Sequence, residues 1–259
     1  MADNSNEKSL RRKELEDLFK DGAIPQEADF KSLIRSMINK QDDGFSKNDA
    51  NGFEVKITGQ NAQRFISLFK DVNDPDIFFS VEKDEKNTAL KINPGLSNEE
   101  DEVPGQNCFF FGKDGKLGIG KIAEDFLKTE VDGFLGMKGR VGTFKSGHVD
   151  ADGQWHTILE GLDNCNAFEV MARAGKKTTG KFALLHAIAL ATFGHSKSRI
   201  RKTSACYGFF WNKLNLRWRG KTHNYALQLR SNNNYGNNAK ISYRITQLWD
   251  DELFQEDAY

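Results

Sequence analysis

The sequence predicts a mainly β protein with a short helical segment at its N-terminus. Three observations carry that prediction. The hydrophobic period changes from 3.6 to 2 after Gln41-Asp42-Asp43-Gly44. Alternating runs then recur between clusters of Gly, Asn, Asp and Pro, the pattern of successive hairpins. The 259 residues include 20 Phe against 4 Met and 4 Pro, a composition that suits aromatic-rich strands more than a helical bundle. A chain of this length buries a substantial core as one large β domain or as two smaller units.

The first 40 residues read as two helices. Leu10, Leu15, Leu18 and Phe19 recur at helical spacing and end at Asp21-Gly22, a helix stop. Pro25 opens the second helix, with Glu27 and Asp29 near the positive end of its dipole. Phe30, Leu33, Ile34, Met37 and Ile38 form its apolar stripe. Helices this short need a partner, so Leu18, Phe19, Phe30, Leu33, Ile34 and Met37 are expected to serve attachment, with residues 1–41 as an anchor.

Residues 42–106 read as a β-hairpin module, with strands expected at Phe53 to Ile57, Arg64 to Phe69, Ile77 to Val81 and Ala89 to Ile92. Ser97 to Gln106 is acidic, contains Pro104-Gly105 and reads as an exposed loop. Residues 107–142 are dense in glycine and read as a neck of tight turns. Residues 143–259 read as an antiparallel β-sandwich. Leu214, Leu216 and Trp218, then Tyr225, Leu227 and Leu229, then Ile241, Tyr243 and Ile245 alternate with polar or cationic residues. Gly220-Lys221-Thr222 is the expected hairpin turn. Phe182 to Phe193 fits a buried strand or a short helix stopped by Gly194, with strand favoured by its neighbours.

Formal net charge is zero, but the charges are segregated. Residues 1–110 carry 15 Lys+Arg against 22 Asp+Glu, a net of −7. Met171 to Arg244 holds 15 Lys+Arg and no Asp or Glu. Such a chain presents an anion-attracting region, for an anionic polymer or for an acidic protein surface. Arg217, Arg219, Arg230 and Arg244 are expected to form the anionic-ligand face, with Asn233 and Tyr235 at a loop tip. Arg199, Arg201 and Lys202 lie near Tyr207, Trp211 and Trp218 in sequence, a mixture also used for nucleic acid. Trp218 and Tyr243 fall on apolar faces by alternation, so nucleic acid is not the expected partner.

Chemical motifs are weak. Gly115 to Lys121 and Gly175 to Lys181 have phosphate-loop spacing, but Ile122 and Phe182 stand where the magnesium-binding Ser or Thr belongs. His148, His156, His186, His195 and His223 make no metal-ligand pairing, and His186 is expected as a hydrogen-bonded core residue. Asp150-Ala151-Asp152-Gly153 begins like a calcium loop and lacks its remaining ligands, so a turn before Trp155 is expected. Cys108, Cys165 and Cys206 are odd in number and widely spaced, as for reduced thiols. No serine elbow or Cys-His pairing is legible. The expectation is a non-enzymatic protein with no cofactor and no metal.

Two passages carry a resemblance. Leu18-Phe19-Lys20-Asp21-Gly22-Ala23-Ile24-Pro25, followed by Asp29-Phe30-Lys31-Ser32-Leu33-Ile34, resembles the N-terminal segment of fibre and adhesin-like proteins. These belong to Bacteroidetes-type phage tails and phage-tail-like contractile injection systems. Phe111-Gly112-Lys113-Asp114-Gly115-Lys116-Leu117-Gly118-Ile119-Gly120, with Glu130-Val131-Asp132-Gly133 downstream, is similar to the repeat of tail-fibre shafts. The chain departs from that repeat at Lys121-Ile122-Ala123-Glu124-Asp125 and holds one copy, so any shaft is short. The passage from Gly136 to Gly142 through Trp155 to Ile158 and on to Gly194 is similar to fibre C-terminal domains. The resemblance implies a homotrimer, attachment to baseplate or fibre components through the N-terminus, and contact with a surface through the C-terminal domain, where the cationic face suits a cell-surface glycan or other anionic polymer. It also implies cytoplasmic assembly and release in a particle, which suits the polar N-terminus and the expected absence of a signal peptide or membrane span. A structural adapter for an acidic partner is the alternative. A glycan-acting enzyme ranks last, because residues 171–244 lack the carboxylate pair it needs.

Overall fold

The computed structural model describes residues 10–40, 42–57, 63–86, 88–95, 107–175, 180–194, 196–236 and 238–254. The expected loop at Ser97 to Gln106 lies wholly outside them. The chain divides into two compact units, Met1–Leu135 and Gly136–Tyr259.

In the first unit, α1 (Arg12–Leu18) and α2 (Glu27–Arg35) form within the predicted stretches, but α2 starts after Pro25, with Gln26 as its cap, and stops before Met37 and Ile38. Glu14 reaches back to the Arg11 amide at 2.7 Å and Asp29 to the Gln26 amide at 2.8 Å, each satisfying a donor that the helix leaves free. Between the helices Gly22 takes φ +83°. Phe19 meets Phe30 edge-on at 5.4 Å, and the Leu10 amide donates to Ser36 Oγ at 3.1 Å. Neither helix contains a buried residue, and Phe30, Ile34, Met37 and Ile38 stay exposed. A hairpin follows, β1 (Phe45–Asn48) with β2 (Gly52–Val55).

The rest of the unit is one sheet. Its strands are β3 (Arg64–Phe69), β4 (Ile77–Lys83), β5 (Ala89–Pro94), β6 (Phe109–Gly112), β7 (Leu117–Ile119) and β8 (Thr129–Val131), in that spatial order. All neighbours are antiparallel except β7 and β8. Because β5 pairs with β6, hairpin module and glycine-rich neck share this sheet. The first phosphate-loop look-alike is resolved here: Gly115 is a turn residue at φ +78° and β7 leads to another strand, not to a helix. Most of the second, 176–179, lies outside the described residues.

The second unit is a two-layer β-sandwich. One layer has β10 (His156–Leu162), β15 (Asn224–Ser231) and β14 (Leu214–Lys221), in the order β10-β15-β14. The other has β9 (Lys145–Asp150), β11 (Cys165–Gly175), β12 (Phe182–Thr192), β13 (Ser196–Tyr207) and β16 (Lys240–Asp250), in the order β13-β12-β11-β16-β9. Period-2 alternation sends Ile158, Leu214, Leu227 and Leu229 inward from the first layer. It sends Phe168, Val170, Leu185, Ile241 and Ile245 inward from the second, and the two sets share one core. Alanines at 183, 187 and 189 lie on the inward face of β12. The ambiguous run 182–193 is therefore a strand, paired on both sides and ended by Phe193 and Gly194 at φ +50° and +85°.

Three expectations are corrected. His186 lies on the outward face of β12, its side chain 45% exposed and Nε2 2.9 Å from Glu169, because the alternation that buries Leu185 and Ala187 turns it out. The hairpin turn falls at Thr222-His223, since Lys221 already pairs with Asn224 and His223 takes φ +63°. Tyr235 does not sit at a loop tip. It is 2% exposed within the core cluster, held by its amide to the Ala151 carbonyl at 2.8 Å.

Candidate functional site

The site starts at the turn before β10. Gly153 takes φ +88°, the Gln154 amide donates to Asp152 Oδ1 at 2.8 Å, and the Gly153 amide donates to Ser231 Oγ at 3.1 Å. His156 Nε2 lies 2.8 Å from the same Asp152 oxygen. Burial opposes ionisation of Asp152, yet its hydrogen bonds to His156 and to the Gln154 amide hold its carboxyl below the ordinary range. This turn sets Trp155 half-buried at the edge of the three-stranded layer.

Two guanidinium groups lie over the Trp155 ring, Arg217 at 4.2 Å and Arg230 at 4.5 Å from its centroid. Each such contact contributes about 0.5–1 kcal/mol where it is partly exposed. Arg217 Nε donates to Gln228 Oε1 at 2.9 Å, and Gln228 Nε2 donates to Thr157 Oγ1 at 3.1 Å, a polar chain across β14, β15 and β10. Arg230 Nε is buried with no hydrogen-bond partner. Leaving a buried donor unpaired costs about 1–3 kcal/mol.

More cations close the site. Lys202 Nζ bonds Asn215 Oδ1, and Asn215 Nδ2 bonds Asn232 Oδ1. Burial first, then the charges of Lys213 and Arg230, push the Lys202 ammonium below the ordinary lysine value. Among the described residues, none of Lys202, Lys213, Arg217 and Arg230 has a carboxylate within ion-pairing distance. Crowded cations lacking carboxylate partners, set beside exposed amides and an indole face, favour an anion from solution.

The predicted site residues divide. Arg217 and Arg230 meet on Trp155, while Arg219 is exposed two residues further along β14, on the same face. Arg244 is elsewhere, on the outward face of the five-stranded layer opposite Met171 and Ser146, where a groove of about 430 Å³ also includes Arg173 and His148. Asn233 is half-buried, its Nδ2 donating to Asn212 Oδ1 at 3.3 Å, so it braces the loop, and Asn232 is the exposed amide. Sequence reasoning missed Trp155 and Lys213 and left Lys202 unassigned. For the two lysines the signal was the unrelieved positive charge of residues 171–244, a stretch that does not include Trp155.

No protein-family model matches the chain, and no curated protein matches it. Among solved structures, the crystal structure of the Acinetobacter baumannii phage AM24 tailspike protein aligns at 12% identity with a TM-score of 0.20. The alignment covers 40% of this chain and 26% of that one, so the chain spans about a quarter of that protein's length. A likeness at that score carries no argument about fold or function. Fold and site define a mainly β protein whose C-terminal sandwich bears a cationic surface built on an indole. No described helix is long and apolar enough to cross a membrane.

Proposed function

We propose that this chain is a non-enzymatic receptor-binding or fibre component of a phage-tail-like particle, and that its sandwich engages an anionic cell-surface glycan. The observation that carries this reading is the pair Arg217 and Arg230 over Trp155, beside Lys202 and Lys213. Phosphate or carboxylate groups on a saccharide match the guanidinium donors, and hydroxyls match Asn215, Asn232 and Gln228. The resemblance of 18–34 and 111–133 to fibre segments supports the particle context. The exposed Phe30, Ile34 and Met37 support attachment through the N-terminal helices. In this reading the chain is a homotrimer, is assembled in the cytoplasm and works outside the cell once the particle is released.

Binding of the full chain to lipopolysaccharide core, teichoic acid and neutral dextran tests the proposal. The phosphorylated polymers are expected to bind, and binding weakens with salt. Arg217→Glu with Arg230→Glu is expected to reduce it by about tenfold or more with an unchanged circular dichroism spectrum, each buried or half-buried charge contact contributing roughly 1.5–3 kcal/mol. Arg219→Glu is expected to have a smaller effect. Unchanged binding in the double variant rejects the site. Capture of an acidic protein without any glycan binding favours the adapter reading.

A further inference from the structure

The connection from β13 to β14 carries Tyr207-Gly208-Phe209-Phe210-Trp211, and its rings face solvent. Tyr207 is 68% exposed, Phe209 61%, Phe210 72% and Trp211 43%. An exposed apolar cluster of this kind marks an interaction surface.

The loop is built to hold its rings there. Phe209 and Trp211 lie parallel at 4.7 Å, 8° apart, and Phe210 meets Trp211 edge-on at 4.6 Å. Beneath them Asn212 is fully buried. Its side chain donates to the Tyr207 carbonyl at 3.0 Å and its amide to the Phe209 carbonyl at 2.9 Å. The Lys213 amide donates to the Trp211 carbonyl at 2.7 Å. Gly208 takes φ +89° where a Cβ would meet the Gly180 carbonyl at 2.7 Å.

Chemistry separates the occupants. A saccharide needs partners for its hydroxyls, and Phe209 and Phe210 offer none. A second copy of this face brings the same positive charge. An anionic lipid surface meets each feature: rings seat at the headgroup–acyl boundary, and the carbonyls of Tyr207, Phe209 and Trp211 are already bonded within the loop, which lowers the cost of an apolar phase. Cations lie on the loop's flanks and on the strands leading to it. Lys213 follows Trp211 by two residues, Lys181 follows the neighbouring Gly180, and Lys202 feels the charge of Lys213. No Asp or Glu occurs from Met171 to Arg244. We infer that the loop 207–211 is a peripheral anchor for an anionic lipid bilayer, with Phe209, Phe210 and Trp211 inserted and Lys181, Lys202 and Lys213 at the headgroup phosphates.

The test is cosedimentation of the full chain with phosphatidylcholine vesicles, with and without phosphatidylglycerol. Binding is expected with the anionic lipid, and bromine on the acyl chains is expected to quench tryptophan emission. Phe209→Ser with Phe210→Ser is expected to lower the partition coefficient by about tenfold or more, given the area of two phenyl rings, while leaving anionic-glycan binding intact. Trp211→Phe is expected to retain vesicle binding and lose most of the quench. Vesicle binding that survives the serine pair overturns the inference, because charge alone then accounts for it. So does a wild-type chain that ignores vesicles but changes native mass in the serine variant, which makes the loop a subunit contact. Binding of neutral oligosaccharide through these rings in place of vesicles overturns it equally.

Discussion

Lys202 shows how one residue ties site to stability. Its ammonium is disfavoured by burial and by Lys213 and Arg230, so the folded chain holds that proton less tightly than the unfolded chain. Between the depressed folded value and the ordinary lysine value of 10.5 the unfolded state binds more protons, and stability rises with pH there. Because the Lys202 side chain is exposed and solvent screens its neighbours, that cost is small at neutral pH, and a bound anion relieves it. Lys202→Met is therefore expected to raise the melting temperature only slightly, by about 1 °C or less at pH 7, and to weaken anionic-glycan binding. The gain is full below the folded value and disappears as pH rises through that window. A lower melting temperature in calorimetry would contradict the crowding argument. The charge of this region was readable from composition alone, but the pairing of Arg217 with Arg230 on Trp155 was not. Trp155 precedes a strand, outside any alternation, and only the β10-β15-β14 pairing brings it beside the arginines. Tyr235 was misplaced for the same reason: a loop carries no period from which burial can be read. Its hydroxyl is buried without a partner, and burial, with Cys206 adding to it, pushes its pKa up to about 12.

At the scale of elements, alternation placed β14, β15 and β16 and the inward side of each, yet it could not assign them to layers. Antiparallel strands adjacent in sequence invite one sheet, but β16 returns beside β11 and β9, and this is why Arg244 parts from Arg217. Residues 182–193 stayed ambiguous because both faces of β12 are apolar: Leu184, Ile188 and Leu190 point outward while leucine and alanine fill the inward positions. Period-2 contrast vanishes in such a run, and the strand is fixed by the ladders on either side. Its end depends on Gly194, where φ is +85° and a Cβ would meet the Tyr225 ring at 2.4 Å. Gly194→Ala is expected to destabilise the chain by about 2–4 kcal/mol, since it adds backbone strain to a clash with a buried ring. Urea unfolding measures this, and a midpoint equal to wild type would mean that the β12–β13 turn is not a constraint on the sandwich.

For the whole molecule, the outward face of the five-stranded layer is the strongest argument about assembly. A solvated antiparallel face alternates to polar residues, yet here Met171, Leu184, Ile188 and Leu190 are 38–49% exposed around a His186–Glu169–Arg140 network. Covering these residues with the same face of neighbouring chains removes apolar area from water at about 25 cal/mol per Å². A chain folded alone cannot display such a partner in its own periodicity, so the expectation of a homotrimer rests on resemblance alone. The expected result of light scattering at moderate salt is a mass of three chains that survives dilution. Ile188→Lys with Leu190→Lys is expected to reduce it to one chain while the far-ultraviolet spectrum of the sandwich persists, because both side chains point away from the core. A wild-type monomer would remove the fibre reading's main structural requirement. The cationic surface on Trp155 would then be better understood as the docking face of an adapter for an acidic protein.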